Sequence, residues 1–308
     1  MIRPVFLFLH HQMNIIVFRI VSGLLFLISL LPFRILYLIS DLLYITLYYF
    51  TGYRRKVVFN NLKNSFPDKS VEELKVIEKR YYHYLADLIV ESVKSFTISS
   101  EEIKKRFVFK NLSVITSYLE SGRSVIAVSG HYGNWEWASI AIAQELNEDM
   151  LIVYKPLSNK RFEKLVNAMR SKFGAILVPM KNTLRKIVEY KNKPYVLALI
   201  SDQTPPREES HYFMNFLNQP TAIFLGVEKI AVKYNNPIIY FNIKRIKRGY
   251  YECLIELIVD NPASTKEFEI TNIHTKELEK NICLAPEFWL WSHKRWKFSP
   301  ADLTHKND

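Results

Sequence analysis

The chain has 308 residues, 49% hydrophobic and 23% charged, a composition that excludes a wholly disordered chain, a collagen-like repeat and a polytopic membrane protein. Its 42 Lys+Arg against 30 Asp+Glu leave a net charge of +12, which favours an anionic partner: anionic lipid, an acidic protein or nucleic acid. With only Cys253 and Cys283, a disulfide framework and a structural zinc site are out of reach, and a reducing compartment is expected.

The N-terminus reads differently from the rest. Residues 20–33 (IVSGLLFLISLLPF) carry no charge, and a second apolar run, 42–53, follows after Arg34 and Asp41. Each run is shorter than the roughly 20 apolar residues that cross a bilayer, although extension back through Arg19 to Met13 gives a tilted helix enough length. Arg3, Arg19 and Arg34 punctuate the segment and Arg54, Arg55 and Lys56 close it, so cationic heads can snorkel to phosphates while Phe, Leu and Tyr enter the acyl layer. Bulky Tyr48, Tyr49 and Phe50 stand where a cleaved signal peptide would need small residues. Residues 1–53 are therefore expected to be a membrane-anchoring segment, with 54–308 forming the body of the chain around one core.

Beyond it, Ser70 with Glu73 forms a capping-box pattern, and Leu74, Ile77, Tyr81, Leu85, Leu88 and Val93 recur at helical spacing, which predicts one long amphipathic helix. From Ser124 onward, apolar β-rich runs at 124–129, 150–154, 175–180 and 195–201 alternate with helical stretches at 159–173 and 222–234. Such alternation implies an α/β fold, a mixed sheet flanked by helices. Residues 237–244 and 250–259 flank Arg248-Gly249 as a hairpin, and a final helix is expected to include residues 275–291. No internal repeat or low-complexity segment interrupts this order.

Chemistry is expected at the end of the first of these strands, in Ser129-Gly130-His131-Tyr132-Gly133-Asn134-Trp135-Glu136. Glycines bracketing a polar cluster between strand and helix set His131 on a turn at a sheet end, where α/β proteins bind ligands. With Asn134 as N-cap, Glu136 falls in the first helical turn, from which its carboxylate could reach back to the imidazole. A base with an orienting carboxylate activates a hydroxyl, and the lack of a Gly-x-Ser-x-Gly elbow or a well-placed Cys favours direct transfer over a covalent acyl-enzyme. A structural histidine beside a helix-capping glutamate has the same spacing.

The stretch GHYGNWEWA resembles the His-x-x-x-x-Glu box of the bacterial lipid A late acyltransferases, the lauroyl/myristoyl transferases of the lysophospholipid acyltransferase superfamily. The likeness continues in family order through RKVVFNNLKNSFP at 55–67, Tyr154-Lys155-Pro156-Leu157 with Asn159, and Arg170 before Phe173-Gly174. It extends to Ser201-Asp202-Gln203, Phe216 with Pro220-Thr221, and PEFWLWSHKR at 286–295. The chain departs from the pattern at Leu217-Asn218-Gln219 and where Thr204-Pro205-Pro206 runs into Arg207-Glu208-Glu209, both on the side implied for the acceptor.

The resemblance implies a glycerol-3-phosphate acyltransferase-like fold behind an N-terminal hydrophobic anchor helix, with 54–308 as the acyltransferase domain. It implies an inner-membrane enzyme, its site on the cytoplasmic side, that moves a fatty acyl chain from acyl carrier protein to a hydroxyl of a lipid A precursor. In this reading His131 is the general base and Glu136 its orienting carboxylate, while Asn134, Arg170, Asp202 and Gln203 bind substrate. Arg170 would grip a phosphate or carboxylate on the acceptor or pair with Asp202. Neither metal nor cofactor is required, because a thioester is already a competent electrophile. Glycerolipid relatives usually carry Asp at the end of the His box and a Phe-Pro-Glu-Gly-Thr-Arg block, so Glu136 and Asp202-Gln203 favour the lipid A branch over these; an acyltransferase for another glycolipid or lysophospholipid is the alternative, and other glycolipid acyltransferases resemble the chain as well. A non-enzymatic membrane scaffold is the rival of a different class. Dispersed basic residues and the lack of a recognised module argue against nucleic acid.

Overall fold

The structure is a computed structural model describing residues 14–304; Arg3 and Met13 of the expected anchor lie outside the described residues. Helix α1 (Ile15–Leu30) stops at Leu31-Pro32, where proline fixes φ and removes a donor, and α2 (Phe33–Ile45) begins directly after it. A π-turn over Thr46–Phe50 prolongs α2, making Phe33–Phe50 an 18-residue helix long and apolar enough, by length and composition, to cross a membrane. The candidate span thus lies later than the uncharged run at 20–33, because α1 has only 16 residues.

Both N-terminal helices dock on α4 (Val71–Lys94), which follows α3 (Arg55–Ser65). The expected capping box starts α4: Ser70 Oγ accepts from Glu73 N–H while Glu73 Oε2 accepts from Ser70 N–H. The apolar stripe Leu74, Ile77, Tyr81, Leu85 and Leu88 is buried, and so are Glu78, Asp87 and Glu91 of the same helix. These acids receive the polar underside of α2: Ser40 Oγ donates to Asp87 at 2.6 Å, Tyr37 OH to Glu91 at 2.9 Å, and Arg248 bridges Asp41 of α2 and Asp87. Opposite that underside, Leu38 (69% exposed), Leu42 (65%) and Phe50 (82%) face outward.

Helices α5 (Ser100–Arg106) and α6 (Ser113–Glu120) flank β1 (Phe107–Lys110). Strand β2 (Val125–Ser129) then leads to α7 (Trp135–Ile142), β3 (Asp149–Tyr154) to α8 (Lys160–Arg170), and β4 (Ile176–Pro179) to α9 (Thr183–Glu189) and β5 (Tyr195–Ile200). A small antiparallel pair, β6 (Phe213–Phe216) with β7 (Gln219–Ala222), precedes α10 (Gly226–Tyr234) and the predicted hairpin β8 (Ile238–Lys247)/β9 (Tyr250–Val259). The main sheet has seven strands in the order β1-β9-β8-β2-β5-β3-β4, parallel at every junction except β8·β9. Strand β2 sits at its centre, Val125 and Ala127 packing into one hydrophobic core and Ile126 and Val128 into the other, as expected where both faces of a parallel sheet are covered.

Two expectations change. The helix predicted for 222–234 begins only at Gly226, because residues 219–222 pair with β6. The helix expected to include residues 275–291, α11 (Glu269–Leu284), ends before Ala285-Pro286; proline would cost the helix a hydrogen bond. Between α11 and a short α12 (Ala301–Thr304) the chain makes one 3-10 turn at Pro286–Phe288 and then runs without regular structure, driving Trp289 and Trp291, both at most 2% exposed, into the core. By area, each buried tryptophan is worth roughly 4–6 kcal/mol, enough to hold a segment without regular structure.

Candidate active site

Strands β2 and β5 run side by side with Ser129 opposite Ile200. Two residues beyond each strand end, His131 and Asp202 therefore meet in the crevice at the carboxyl edge of the sheet. His131 Nδ1 lies 2.5 Å from Asp202 Oδ1, and the His131 backbone N–H donates to Oδ2 at 2.9 Å. The indole N–H of Trp289 donates to the same Oδ2 at 2.8 Å. Because a carboxylate only accepts, the neutral imidazole carries its proton on Nδ1 and presents Nε2 as an acceptor. The side-chain amide of Gln203 stands 3.4 Å from that Nε2.

Both members of the pair are buried. Burial alone would raise the Asp202 pKa, but attraction to His131 and the N–H donors of His131 and Trp289 outweigh it and hold the carboxyl well below the usual range. Burial pushes His131 below the ordinary imidazole value against the opposing pull of Asp202 and Glu136, so the ring is neutral and ready to take a proton near pH 7.

The turn between β2 and α7 needs its glycines. A side chain at Gly130 would come within 2.7 Å of Leu278, and Gly133 has φ +59° with Ile243 2.6 Å from where a Cβ would sit. The hydroxyl of Tyr84 on α4 donates to the Gly133 carbonyl, fixing the loop from below. Asn134 caps α7 as predicted, its Oδ1 accepting from Trp137 N–H at 2.9 Å, while its Nδ2 donates to Glu91 at 2.7 Å. Both ends of this buried amide are engaged by the fold.

Glu136 occupies the expected first turn, but its carboxylate does not take the place opposite His131 Nδ1; Asp202 does. Arg170, at the end of α8, grips Glu136 through Nη2 (2.7 Å) and Nε (3.0 Å), and Trp135 Nε1 donates to Oε1 at 3.1 Å. This buried bidentate pair holds Glu136 ionised: burial raises its pKa, yet Arg170 lowers it further. Glu136 acts on His131 through its charge, and Arg170, expected to grip an acceptor anion or Asp202, is committed to Glu136. The Trp135 ring meets the imidazole edge-on at 5.0 Å and walls the site.

Trp289 and Arg295 are site residues that helical periodicity hid. Arg295 is 2% exposed, its Nε and Nη1 make no hydrogen bond, and it shares with Asp202, Ser129 and His274 a cavity of about 10 Å³, room for one water. Burial lowers the guanidinium pKa to about 10 while Asp202 pulls it up. Both residues lie in the PEFWLWSHKR signature at 286–295, the one sequence signal that pointed to them. Among the described residues no cluster of three or more His, Cys, Asp or Glu is arranged to hold a metal ion.

The family described as bacterial lipid A biosynthesis acyltransferase matches residues 6–298. Two curated relatives, a lipid A biosynthesis palmitoleoyltransferase of Escherichia coli (strain K12) and a lipid A biosynthesis acyltransferase of Shigella flexneri, are each 23% identical over 257 residues, spanning 80% of this chain and 80% of the relative. A match that runs from α1 through the His131 turn and Asp202 to the end of the Trp-rich segment leaves one assignment: the chain belongs to the bacterial lipid A biosynthesis acyltransferase family.

Proposed function

We propose that this chain is an O-acyltransferase that moves a fatty acyl group from an acyl-thioester donor, acyl carrier protein, to a hydroxyl of a lipid A precursor at the cytoplasmic face of the inner membrane. The observation that carries the mechanism is the His131 Nδ1–Asp202 contact at 2.5 Å with Nε2 turned to the Gln203 amide. The acceptor hydroxyl gives its proton to His131 Nε2 as its oxygen attacks the thioester carbonyl; Asp202 stabilises the imidazolium. Collapse of the tetrahedral intermediate breaks the carbon–sulfur bond, and the thiolate recovers the proton from His131. The Gln203 amide is a donor close to where the oxyanion forms. The Glu136 carboxylate favours the imidazolium through its charge, and its pairing with Arg170 braces α7 against α8.

The location rests on the N-terminal hairpin. The underside of α2 is held to α4 through Tyr37, Ser40 and Asp41, and its outer face presents Leu38, Leu42 and Phe50 with Arg34 at one end. That geometry suits a helix lying in the membrane interface with the catalytic body beneath it. An acidic carrier protein would be steered by the net charge of +12. Initial rates with acyl carrier protein and with acyl coenzyme A over a salt series test the donor: a carrier-protein preference that shrinks as salt screens charge is expected, and equal rates throughout would reject that donor.

A further inference from the structure

Arg170 is taken by Glu136, so an anionic group on the acceptor must be held elsewhere if it is held at all. Next to the catalytic pair lies a cleft of about 80 Å³ lined by Arg54, Gln203, Ser292, His293, Lys294 and Lys297. Gln203 forms the wall it shares with the catalytic crevice, 3.4 Å from His131 Nε2. Three of these side chains are cations, and among the described residues no carboxylate lines the cleft.

The cleft is a built feature. Arg54 Nη1 donates to the Ser292 carbonyl at 2.8 Å, and Asn61 Nδ2 donates to the carbonyls of Trp291 and His293 at 2.9 and 3.0 Å. Ser292 N–H donates to the buried Tyr81 hydroxyl at 3.0 Å, so α3 and α4 fix the C-terminal segment in place. The Thr204 N–H donates to His293 Nε2 at 3.3 Å, which puts the proton of the neutral ring on Nδ1 as one more donor.

We infer that this cleft is the subsite for a phosphate group on the lipid acceptor, an inference that rests on the acyl-transfer reading and specifies its substrate. At roughly 10–15 Å³ per water-sized occupant, about five or more fit, the scale of a phosphate with its oxygens. A phosphate ester carries up to two charges and three or four acceptor oxygens, matching several converging cations where a carboxylate would satisfy one. The depth fits a lipid: Arg54 follows by four residues the end of the apolar helix at Phe50, at the level where headgroups lie if that helix rests in the interface.

The test uses the full-length enzyme in neutral detergent micelles, with one phosphorylated lipid A precursor and the same precursor after phosphatase treatment. The wild type should show a KM about tenfold or more lower for the phosphorylated form, the scale of one or two charged hydrogen bonds. In Lys294→Ala/Lys297→Ala that ratio should collapse toward one, with Lys294→Arg/Lys297→Arg restoring most of it and circular dichroism confirming the fold of both. Equal KM values for the two acceptors in the wild type would overturn the inference and leave acyl transfer standing. A change in donor KM instead would move the phosphate to the donor and overturn it too. Variants that alter rates only in micelles containing phosphatidylglycerol, treating both acceptors alike, would mark a bystander headgroup and overturn it as well. If the wild type acylated neither acceptor, the acyl-transfer reading itself would fall, and the subsite with it.

Discussion

The crevice above β2 and β5 and the N-terminal hairpin handle polarity in opposite ways. In the crevice, Asp202 and Glu136 each receive charged or N–H donors and no carboxylate is left alone. The N-terminal helix α2 turns Tyr37 and Ser40 to its underside and leaves Leu38, Leu42 and Phe50 facing outward with the exposed Arg34 beside them. A buried charge set specifies chemistry, since each group's proton affinity depends on its neighbours. An exposed apolar face specifies location, since it gains only by leaving water. Changes in one region should therefore leave the other's property untouched.

The hardest blow to the crevice is Asp202→Asn, which keeps the shape but removes the acceptor that fixes the imidazole tautomer. Turnover should fall by roughly 100- to 10,000-fold. Because Asp202 raises the His131 pKa, its loss should also shift the acid limb of the kcat/KM profile to lower pH. Sedimentation with membranes should not change. A pH–rate profile of the variant that superimposes on the wild type would remove Asp202 from the mechanism.

Next comes the ion pair. Glu136→Gln leaves the mostly buried Arg170 without its counter-charge, and Arg170→Met strands the buried Glu136, each at a cost of up to about 3–5 kcal/mol. Melting temperatures should drop in both single variants, and the double variant should recover part of the loss; additive drops would mean that the pair does not act as a unit.

On the hairpin, Leu38→Asp/Leu42→Asp should lower membrane partitioning at least tenfold, since each exposed leucine contributes about 1–3 kcal/mol on entering an apolar phase. Specific activity in detergent should stay near wild type. Retention of the double variant in the membrane pellet at wild-type levels would break the assignment of location to this face.

The smallest effect is expected where the two regions join. Glu91 links Tyr37 of the hairpin to Asn134 at the start of α7, and burial together with Asp87 raises its pKa from 4.5 to about 7. The folded chain thus holds a proton that the unfolded chain has released between these values. Its stabilising contribution is complete below the unfolded pKa and is lost as pH rises through the folded one. The melting temperature should fall between about pH 4.5 and 7, and Glu91→Gln should flatten that decline. An unchanged slope in the variant would assign the effect to other groups.

Local signals were legible in the sequence. The Ser70/Glu73 box, the apolar runs of β2, β3, β4 and β5, the Arg248-Gly249 hairpin and the histidine turn each depend on neighbours within a few residues, and each stands where expected. Periodicity does not encode strand order, so Asp202, 71 residues from His131, could be named as a site residue while its contact with Nδ1 could not. Glu136, nearer in sequence, took that role by default. Trp289 and Trp291 read as part of an amphipathic helix because a helix face and an irregular buried segment share a composition; Pro286 is the signal that separates the two. The strands β1, β6 and β7 are four residues each, as β4 is, but they lie outside the continuous apolar runs that marked β2 to β5, and polar residues interrupt β6 and β7.

The role of His131 in acyl transfer is tested most directly by mass spectrometry of a lipid A precursor incubated with acyl carrier protein thioester and purified enzyme, wild type against His131→Ala. The wild type should add the mass of one acyl chain to the precursor. In His131→Ala that product should form roughly 100- to 10,000-fold more slowly, with the melting temperature and membrane partitioning retained. Turnover by a well-folded His131→Ala near the wild-type rate would contradict the mechanism.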